Sequence, residues 1–461
     1  FMADVKGDLA GLSRPGAAEG KLHESFAERA GRIGIDLDYQ PFPVVFWDVW
    51  GEKGHPVRTT PAEMGPLLLS RLLDLTDAQE GVMNIAFRVA DEQGLALLEL
   101  KDLQSMLVWV GQNAAELSLR YGNVGTASIG AIQRALLVLE NQGGDNLFGE
   151  PALELSDIIR QDASGKGVVN ILAADRLMQS PRLYTTFLLW LLSELFEQLP
   201  EVGDPERPRI AFFFDEAHLL FDHAPRALVE KVEQVARLIR SKGVSVWFIS
   251  QNPTDIPDGI LGQLGNRVQH ALRAFTAKDQ KALRAAAQNY RASPDFDTAD
   301  AIQHVGTGEA VTSLLEAKGV PGVVRRTLIR PPFSRLGPVT EAERHETMAV
   351  SSIGLKYDRR LDRESAHEIL AARADEAGRA GAEAEAKKQQ DDALFDLGRD
   401  EYRSGRRYQP DQKLPKAPTG RGSRSSDTVL ETFGKSLARQ LGTKSGQALV
   451  RGVLGSLFRG R

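Results

Sequence analysis

The chain has 461 residues, 42 % of them hydrophobic and 26 % charged, with a formal net charge of −5. This predicts two or three domains, or one large decorated domain, with a sizeable core, and it excludes a protein that is basic throughout and coats nucleic acid. Cysteine is absent, which excludes disulfides and thiolate metal sites and is compatible with a reducing cytoplasm, the location that we predict.

The first 145 residues change from an alternating pattern to a helical one. Two apolar runs are typical of strands, Phe1–Val5 and Pro43–Val49. Between them, Lys21–Gly31 has a helical pattern. We therefore assign residues 1–60 to the start of an α/β core. Residues 61–145 show apolar side chains at helical spacing with no strand signal between them, so we predict an inserted helical subdomain there.

Strand signals return in residues 146–337 and alternate with amphipathic helices. The predicted strands are Val168–Ala173, Ile210–Asp215, Val244–Ser250, Arg267–Phe275 and Glu309–Leu315, and the predicted helices are Leu183–Gln198, Pro225–Ser241 and Lys278–Gln288. This alternation predicts an α/β fold with a mostly parallel sheet. The longest apolar run, Leu183–Leu192, has about half of the ~20 residues that a membrane span needs, so we predict no transmembrane segment.

The composition changes after Pro338. Residues 338–426 are charged and rich in Ala, Pro, Gly and Ser, and predict a solvated helix or disordered linker. Residues 427–461 regain apolar spacing between Lys and Arg, which predicts a basic amphipathic tail. From Glu401 to Arg461 there are 13 Lys and Arg against 4 Asp and Glu, so this end of the chain is basic while the remainder is acidic.

Two carboxylates close the Phe-rich run in "RIAFFFDEAHLLF". Nucleotide hydrolases place such a pair at the carboxyl end of a buried strand, where α/β sheets bind ligands. Asp215 is a candidate Mg²⁺ ligand, because Mg²⁺ prefers oxygen ligands and keeps part of its water shell. Glu216 is a candidate to polarise the water that attacks a γ-phosphate. The alternative is a pair of acids that caps the next helix.

A polar residue also follows the next predicted strand, in "VWFISQNPTDIP". Gln251 can hydrogen-bond a phosphate and the attacking water without titrating. The alternative is a loop residue that begins a Pro-rich turn. Since two successive strands deliver polar groups to one edge, a nucleotide site is favoured.

Four pieces occur together, in this order: "FMADVKGDLAG", "FFFDEAHLLF", "ARLIRSKGVSVWFISQNPTDIP" and "LGQLGNRVQHALRAFT". Through them the chain resembles the HerA-like branch of the HerA/FtsK superfamily of P-loop ATPases, from Phe1 to about Pro332. The resemblance implies a RecA-like fold, ATP and Mg²⁺ as cofactors, and a homo-oligomeric ring, a hexamer, with nucleotide between subunits. It also implies DNA, or a protein such as a nuclease, as partners.

The resemblance also implies roles for single residues. Asp215 takes the place of the metal carboxylate, Glu216 that of the general base, and Gln251 that of the sensor. Arg240 matches the position of an arginine finger offered to a neighbouring subunit, although a cation there also suits the helix C-terminus. Arg267 is a second candidate arginine for the same edge.

Three charged residues near the start match a loop that follows the second strand of such ATPases. They are Asp4, Lys6 and Asp8, for which the resemblance implies a supporting role in cofactor binding. A solvated turn is the alternative.

The sequence departs from the family at the phosphate-binding loop. The pattern GxxxxGK[ST] does not occur in the 461 residues, and Gly165-Lys166-Gly167 precedes a predicted strand instead of following one. We expect that the loop lies upstream of Phe1, that one central strand is missing, and that this chain binds nucleotide weakly and hydrolyses it slowly.

Two other functions compete with the motor. The letters DEAH suggest a superfamily-two helicase, but the Ser-Ala-Thr and Gln-x-x-Gly-Arg-x-x-Arg motifs of those proteins are absent from the sequence. A non-catalytic scaffold that keeps an ATPase fold would explain the missing loop. The basic tail could contact DNA phosphates, an anionic membrane surface or a protein.

Overall fold

The computed structural model describes residues 1–203, 205–221 and 226–403. The chain divides into two units, Phe1–Ala382 and Glu383–Arg461, and every contact discussed below lies within the first. The end of the predicted linker, from residue 404, and the predicted basic tail at 427–461 lie outside the described residues.

A six-stranded sheet is the centre of the first unit. Its strands, in chain order, are β1 Met2–Asp4, β2 Val44–Asp48, β3 His55–Pro56, β4 Val169–Ala173, β5 Ile210–Phe214 and β6 Val244–Phe248. They lie in the order β3-β2-β4-β1-β5-β6, and every pairing is parallel. The predicted α/β class with a mostly parallel sheet is therefore confirmed.

Near-continuous apolar runs explain why these strands are parallel and interior. The strand "VVFWD" is buried along its whole length, as expected for a strand covered on both faces. Because all six strands run the same way, their carboxyl ends share one edge of the sheet. Asp4 and Asp48 end β1 and β2, Asp215 follows β5, and Gln251 follows β6.

Helices fill the connections between the strands. Their bounds are α1 Lys21–Ile33, α2 Pro61–Leu72, α3 Asp77–Gln93, α4 Leu100–Gln112, α5 Ala114–Tyr121, α6 Thr126–Asn141, α7 Gly144–Leu147, α8 Leu155–Ile158, α9 Pro181–Gln198, α10 Arg226–Leu238, α11 Asp258–Leu261, α12 Ala277–Gln288, α13 Thr298–His304, α14 Glu341–Ala349, α15 Gly354–Tyr357 and α16 Ala366–Arg403. Helices α2 to α8 all lie between β3 and β4 in the chain. Helices α2 to α6 fall within residues 61–145, where the sequence predicts an inserted helical subdomain, whereas α7 crosses the end of that range and α8 lies beyond it. Within the described residues, no helix is long and apolar enough to cross a membrane.

The main core joins the sheet to α9 and to the helices that follow β3. Trp47, Phe187 and Phe212 are fully buried in it, and the indole N–H of Trp47 donates to the side-chain oxygen of Asn170 at 2.8 Å. Helix α9 is apolar on nearly all sides, which is expected of a helix packed within a core and not on its surface.

The later strands differ from the prediction. The runs predicted at Arg267–Phe275 and Glu309–Leu315 form β7 Arg267–Gln269 and β8 Glu309–Ser313, which pair antiparallel with each other. A third strand that the sequence analysis missed, β9 Arg325–Leu328, pairs antiparallel with β8. These strands form a separate three-stranded sheet, and α12 and α13, which connect β7 to β8, form a small core with it. We call residues 267–328 the antiparallel subdomain.

One carboxyl group on α9 makes the stability of the fold depend on pH. Burial, together with the charges of Glu63 and Glu197, raises the pKa of Glu194 to about 7. A raised pKa means that the folded state favours the protonated acid. The stability associated with this group is therefore fully present below its ordinary pKa of 4.5 and is lost as the pH rises through about 7.

We therefore expect Glu194→Gln to stabilise the protein at pH 8, on the order of 1 kcal/mol for a group that stays partly exposed. At pH 5 this gain should be nearly absent. Thermal melts at both pH values measure the difference. Glu230→Gln, at an exposed surface ion pair, serves as the control and should change the melting temperature little at either pH. An equal gain at both pH values for Glu194→Gln would contradict the assignment.

Candidate active site

The turn that follows β5 carries the central carboxylate of the candidate site. Glu216 has φ 48° and ψ 50°, a left-handed conformation that is uncommon for a residue other than Gly. The conformation costs on the order of 1–3 kcal/mol and is held by neighbouring main-chain bonds, since Ala217 N donates to Ile249 O at 2.8 Å. Such strain concentrates at functional sites, so it directs attention to this carboxylate.

Glu216 is nearly buried, with 7 % of its surface exposed, and three side chains approach its carboxylate. Lys6 Nζ donates to Oε1 at 2.7 Å, and Gln251 Nε2 lies 2.9 Å from Oε1 and 3.1 Å from Oε2. His218 Nδ1 lies 3.5 Å from Oε2. The hydrogen bond from Lys6 is the largest influence holding the pKa of Glu216 below its ordinary value, so Glu216 is ionised at neutral pH.

The structure thus brings together three predicted site residues from separate parts of the chain, Lys6, Glu216 and Gln251. The contact of Gln251 with Glu216 follows from the pairing of β5 with β6, which sets Phe214 opposite Phe248 and aligns the two strand ends. Asp215 is half-buried beside them, and its Oδ1 accepts the main-chain N–H of Glu216 at 2.9 Å. The catalytic roles of these residues stay predictions.

The loop after β1 delivers Lys6 to this cluster. Asp4 is buried at the end of the strand, and its carboxylate accepts from Gly7 N at 2.8 Å and Leu9 N at 3.2 Å. Gly7 has φ 80°, which favours glycine, and the tight turn fixes the main chain around Lys6. Burial raises the pKa of Asp4, and the two N–H donors act in the opposite direction. Asp8 is exposed at the start of a short 3₁₀ turn, Asp8–Ser13.

Two predicted site residues, Arg240 and Arg267, lie away from the Glu216 cluster within the single chain. Arg240 belongs to a 3₁₀ turn, Ile239–Lys242, that precedes β6, so it lies at the amino edge of the parallel sheet and Glu216 at the carboxyl edge. Its predicted role acts between subunits, which a single chain does not test. Arg267 lies on β7, where it donates to the main-chain oxygens of Leu261, at 3.1 Å, and of Asn289, at the ends of α11 and α12.

A cavity of about 370 Å³ adjoins Lys6 at the carboxyl ends of β1, β2 and β4. Arg344 of α14 lines one side of the cavity. Its guanidinium lies 4.4 Å from the centre of the Phe46 ring and donates a hydrogen bond to Lys53 O at 3.0 Å. Burial lowers the pKa of Arg344, while the charges of Asp4, Asp175 and Asp48 act to raise it. This arginine therefore neutralises the acids at the strand ends.

The sequence analysis missed three residues of this edge: His218, Asp48 and Arg344. Asp48 carried a usable signal, because it closes an apolar strand in the same manner as Asp4 and Asp215. His218 follows Glu216 by two positions, but the sequence analysis assigns it no role. Arg344 gave no signal, since a charged residue on a polar helix is ordinarily solvated.

The donor set at the end of β5 fits Mg²⁺ and not a metal held by protein alone. Within the described residues there is no group of three or more His, Asp or Glu side chains that could hold a metal ion. Mg²⁺ is commonly bound through one or two carboxylates, with waters and substrate phosphates completing its shell. Asp215 suits that arrangement, because only its Oδ1 is engaged by a protein hydrogen bond in this part of the chain.

Comparison with known families assigns the chain to a family. The sequence profile described as "Helicase HerA-like C-terminal" matches residues 1–461. The chain belongs to this HerA-like family. No functionally curated protein sequence matches it. The family suggests a motor ATPase, in agreement with the resemblance found in the sequence.

Similar solved structures include VirB4 of Thermoanaerobacter pseudethanolicus, at 16 % identity and a TM-score of 0.42, over 74 % of this chain and 82 % of that one. The bacterial conjugative coupling protein TrwBΔN70 matches at 11 % identity and a TM-score of 0.41, over 72 % and 85 %. TrwB in complex with ADP and Mg²⁺ matches at 13 % identity and a TM-score of 0.39, over 72 % and 86 %. These likenesses are distant, and the proposals below rest on the family and the site geometry.

Proposed function

We propose that this HerA-like chain is part of an ATP-driven motor that hydrolyses ATP with Mg²⁺ at the carboxyl edge of β5 and β6. The observation that carries the proposal is the contact of Gln251 with both oxygens of Glu216. This contact puts a carboxylate and a neutral amide donor side by side, which supports the proposal because such groups can activate and position an attacking water. When bound, Mg²⁺ would be held by Asp215 and would neutralise charge on the phosphates.

Glu216 would take a proton from the attacking water, and Gln251 would orient that water against the γ-phosphate. In the present arrangement both oxygens of Glu216 are already bonded, one of them by Lys6 as well as Gln251. Each carboxylate oxygen can accept two hydrogen bonds, so Oε2, which accepts from Gln251 at 3.1 Å, can also accept one from a water. The hydrogen bond from Lys6 favours the ionised form of Glu216, the form that a base requires.

We propose in addition that the chain assembles into a ring and acts on DNA. A ring of identical subunits, a hexamer, would bring Arg240 at the amino edge of one sheet to the nucleotide of a neighbour, where a guanidinium stabilises charge in the transition state. DNA is the polymer that we propose the ring moves, with a nuclease as a protein partner. The short turn Pro253–Asp255, which follows Gln251, packs against α12 of the antiparallel subdomain. This contact favours a mechanism in which ATP hydrolysis moves that subdomain.

A non-catalytic scaffold is the second candidate, and one observation favours it: GxxxxGK[ST] is absent from the 461 residues. The intact cluster of Glu216 and Gln251 favours the motor. Replacing Glu216 with Gln in cells separates the two. A scaffold would keep its cellular effect, and a motor would lose it.

The proposal is tested by ATP hydrolysis in two forms of the protein, the 461-residue chain and a form that carries whatever its gene encodes ahead of Phe1. Because a phosphate cradle needs main-chain N–H groups at a helix N-terminus, we expect weak Mg²⁺-ATP binding and slow turnover in the first form. The second form should bind and turn over ATP much faster. Equal and robust turnover in both forms would reject the expectation about the loop, and no turnover in either would reject the motor.

A further inference from the structure

An aromatic side chain stands almost fully exposed at the start of α12. Phe275 has 87 % of its surface exposed, yet the main chain around it is pinned. Phe275 N donates to Asp279 Oδ2 at 3.3 Å, and Gln280 Nε2 donates to Ala274 O at 2.8 Å. Thr276 and Asp279 complete a capping box. The ring is therefore presented to solvent from a fixed platform, so that a ligand stacking on it orders little of the chain.

The outer face of α12, which follows Phe275 in the chain, is positively charged. The inner face of the helix buries Ala282, and Leu283 and Ala286 belong to the small core of the antiparallel subdomain. Its outer face carries exposed cations, at Lys278, Lys281 and Arg284. The helix has one acid, Asp279, which turns back to cap the first turn. Within the part of the chain that the structure describes, no salt bridge engages these three cations.

The position of α12 connects this surface to the candidate active site. The helix packs against the short 3₁₀ turn Pro253–Asp255, which follows Gln251 in the chain. That turn is tied together by Asn252, whose main-chain N donates to Asp255 Oδ2 at 3.3 Å and whose side chain accepts from Thr254 N at 3.2 Å. A ligand on the outer face of α12 is therefore separated only by α12 and the turn Pro253–Asp255 from Gln251, the residue that contacts Glu216.

We propose that Phe275 and the outer face of α12 form a contact surface for single-stranded nucleic acid, an inference that deepens the proposed motor function and rests on it. The three cations match the repeated charge of a phosphate backbone, and the fixed ring matches the face of an unpaired base. A single strand is favoured over a duplex because stacked and paired bases offer no free face to Phe275.

The test is the binding of a labelled oligothymidine strand to the full 461-residue chain without ATP, followed by fluorescence anisotropy across a series of salt concentrations. The variant K278Q/K281Q/R284Q should bind more weakly, and the slope of log affinity against log salt should become shallower by about 2, from three contacts of about 0.7 each. Phe275→Ala should weaken binding on the order of 10-fold, and Phe275→Trp should restore it. All these side chains are exposed, so folding should be retained, which circular dichroism checks.

A matched control removes three exposed cations from α16, as R379Q/K387Q/K388Q, and should leave affinity and salt slope near those of the unaltered chain. Equal losses in the control and α12 variants would overturn the proposal. So would a duplex that binds as tightly as the single strand and loses as much with Phe275→Ala. If the α12 variants lose self-association in sedimentation and not oligothymidine binding, the surface is a subunit interface and the proposal is wrong.

The outcome separates this inference from the motor function. A protein that hydrolyses ATP but does not bind oligothymidine through α12 overturns the inference alone. A protein that binds oligothymidine through α12 but hydrolyses no ATP, in either form described above, overturns the motor and leaves the surface in place.

Discussion

Replacing Glu216 with Gln is expected to reduce the rate of ATP hydrolysis by about 100-fold or more while nucleotide binding is retained. The amide has nearly the shape of the carboxylate, so the approach of Gln251 can persist, but it cannot take a proton from water. General bases typically contribute 10²–10⁴-fold to rate, which sets the size of the effect. The measurement is phosphate release at saturating ATP, with nucleotide affinity determined separately, in the form of the protein that turns over fastest.

The control for this prediction is Glu230→Gln on the exposed surface of α10, which removes the same charge from a surface ion pair. Its rate should match that of the unaltered protein. If Glu216→Gln also leaves the rate unchanged, Glu216 is not the base. A parallel fall in affinity and rate would instead indicate that Glu216 holds the nucleotide or the metal ion.

Replacing Asp102 with Ala should have the largest effect on stability. Asp102 is fully buried in the first turn of α4, where it accepts from Leu98 N at 2.9 Å, Glu99 N at 2.7 Å and His367 N at 2.9 Å. The hydroxyl of Ser365 also donates to it. Alanine would leave several buried donors without an acceptor, at a cost of about 3 kcal/mol or more. The start of α16 would also lose its attachment to α4.

Urea unfolding followed by circular dichroism measures this effect as a lower midpoint with an unchanged slope. Asp91→Ala, at an exposed position on α3, is the matched control and should change the free energy of unfolding by no more than about 0.5 kcal/mol. Asp102→Asn keeps one acceptor and should fall between the two. A midpoint for Asp102→Ala that equals that of Asp91→Ala would show that these hydrogen bonds contribute little net stability.

Strand β6 is the outer strand of the described sheet, on the side of the candidate site. Trp247 of this strand and Ile249, which directly follows it, remain about half exposed, at 45 % and 46 %. The expectation of a missing central strand, made from the absent phosphate-binding motif, stays a prediction. The comparison of the two protein forms in ATP hydrolysis is the experiment that bears on it.

The parallel sheet and its functional edge could be predicted from local pattern. An apolar run that ends in an acid or an amide is a signal contained in about six consecutive residues, and it located Asp215 with Glu216, and Gln251. Asp4 was proposed only from the family resemblance. Family resemblance then suggested which of these groups belongs with the nucleotide. Because parallel strands end on one edge, the fold class predicted that Gln251 and Glu216 share an edge. Their contact required in addition that β5 pairs with β6.

Tertiary structure decided what local pattern could not. Lys6 meets Glu216 across 210 positions of the chain, and the contact depends on β1 lying beside β5, an order that no stretch of sequence encodes locally. Strands β7 and β8 have the same apolar signal as the parallel strands, so their antiparallel pairing came only from the path of the chain. Arg344 and Phe275 show the same limit, because burial and exposure are set by what packs against a residue. The sequence by itself determined which chemical groups end the strands, because a few consecutive residues set that property. The assembled fold decided which of these groups touch, because contact depends on how distant strands pair.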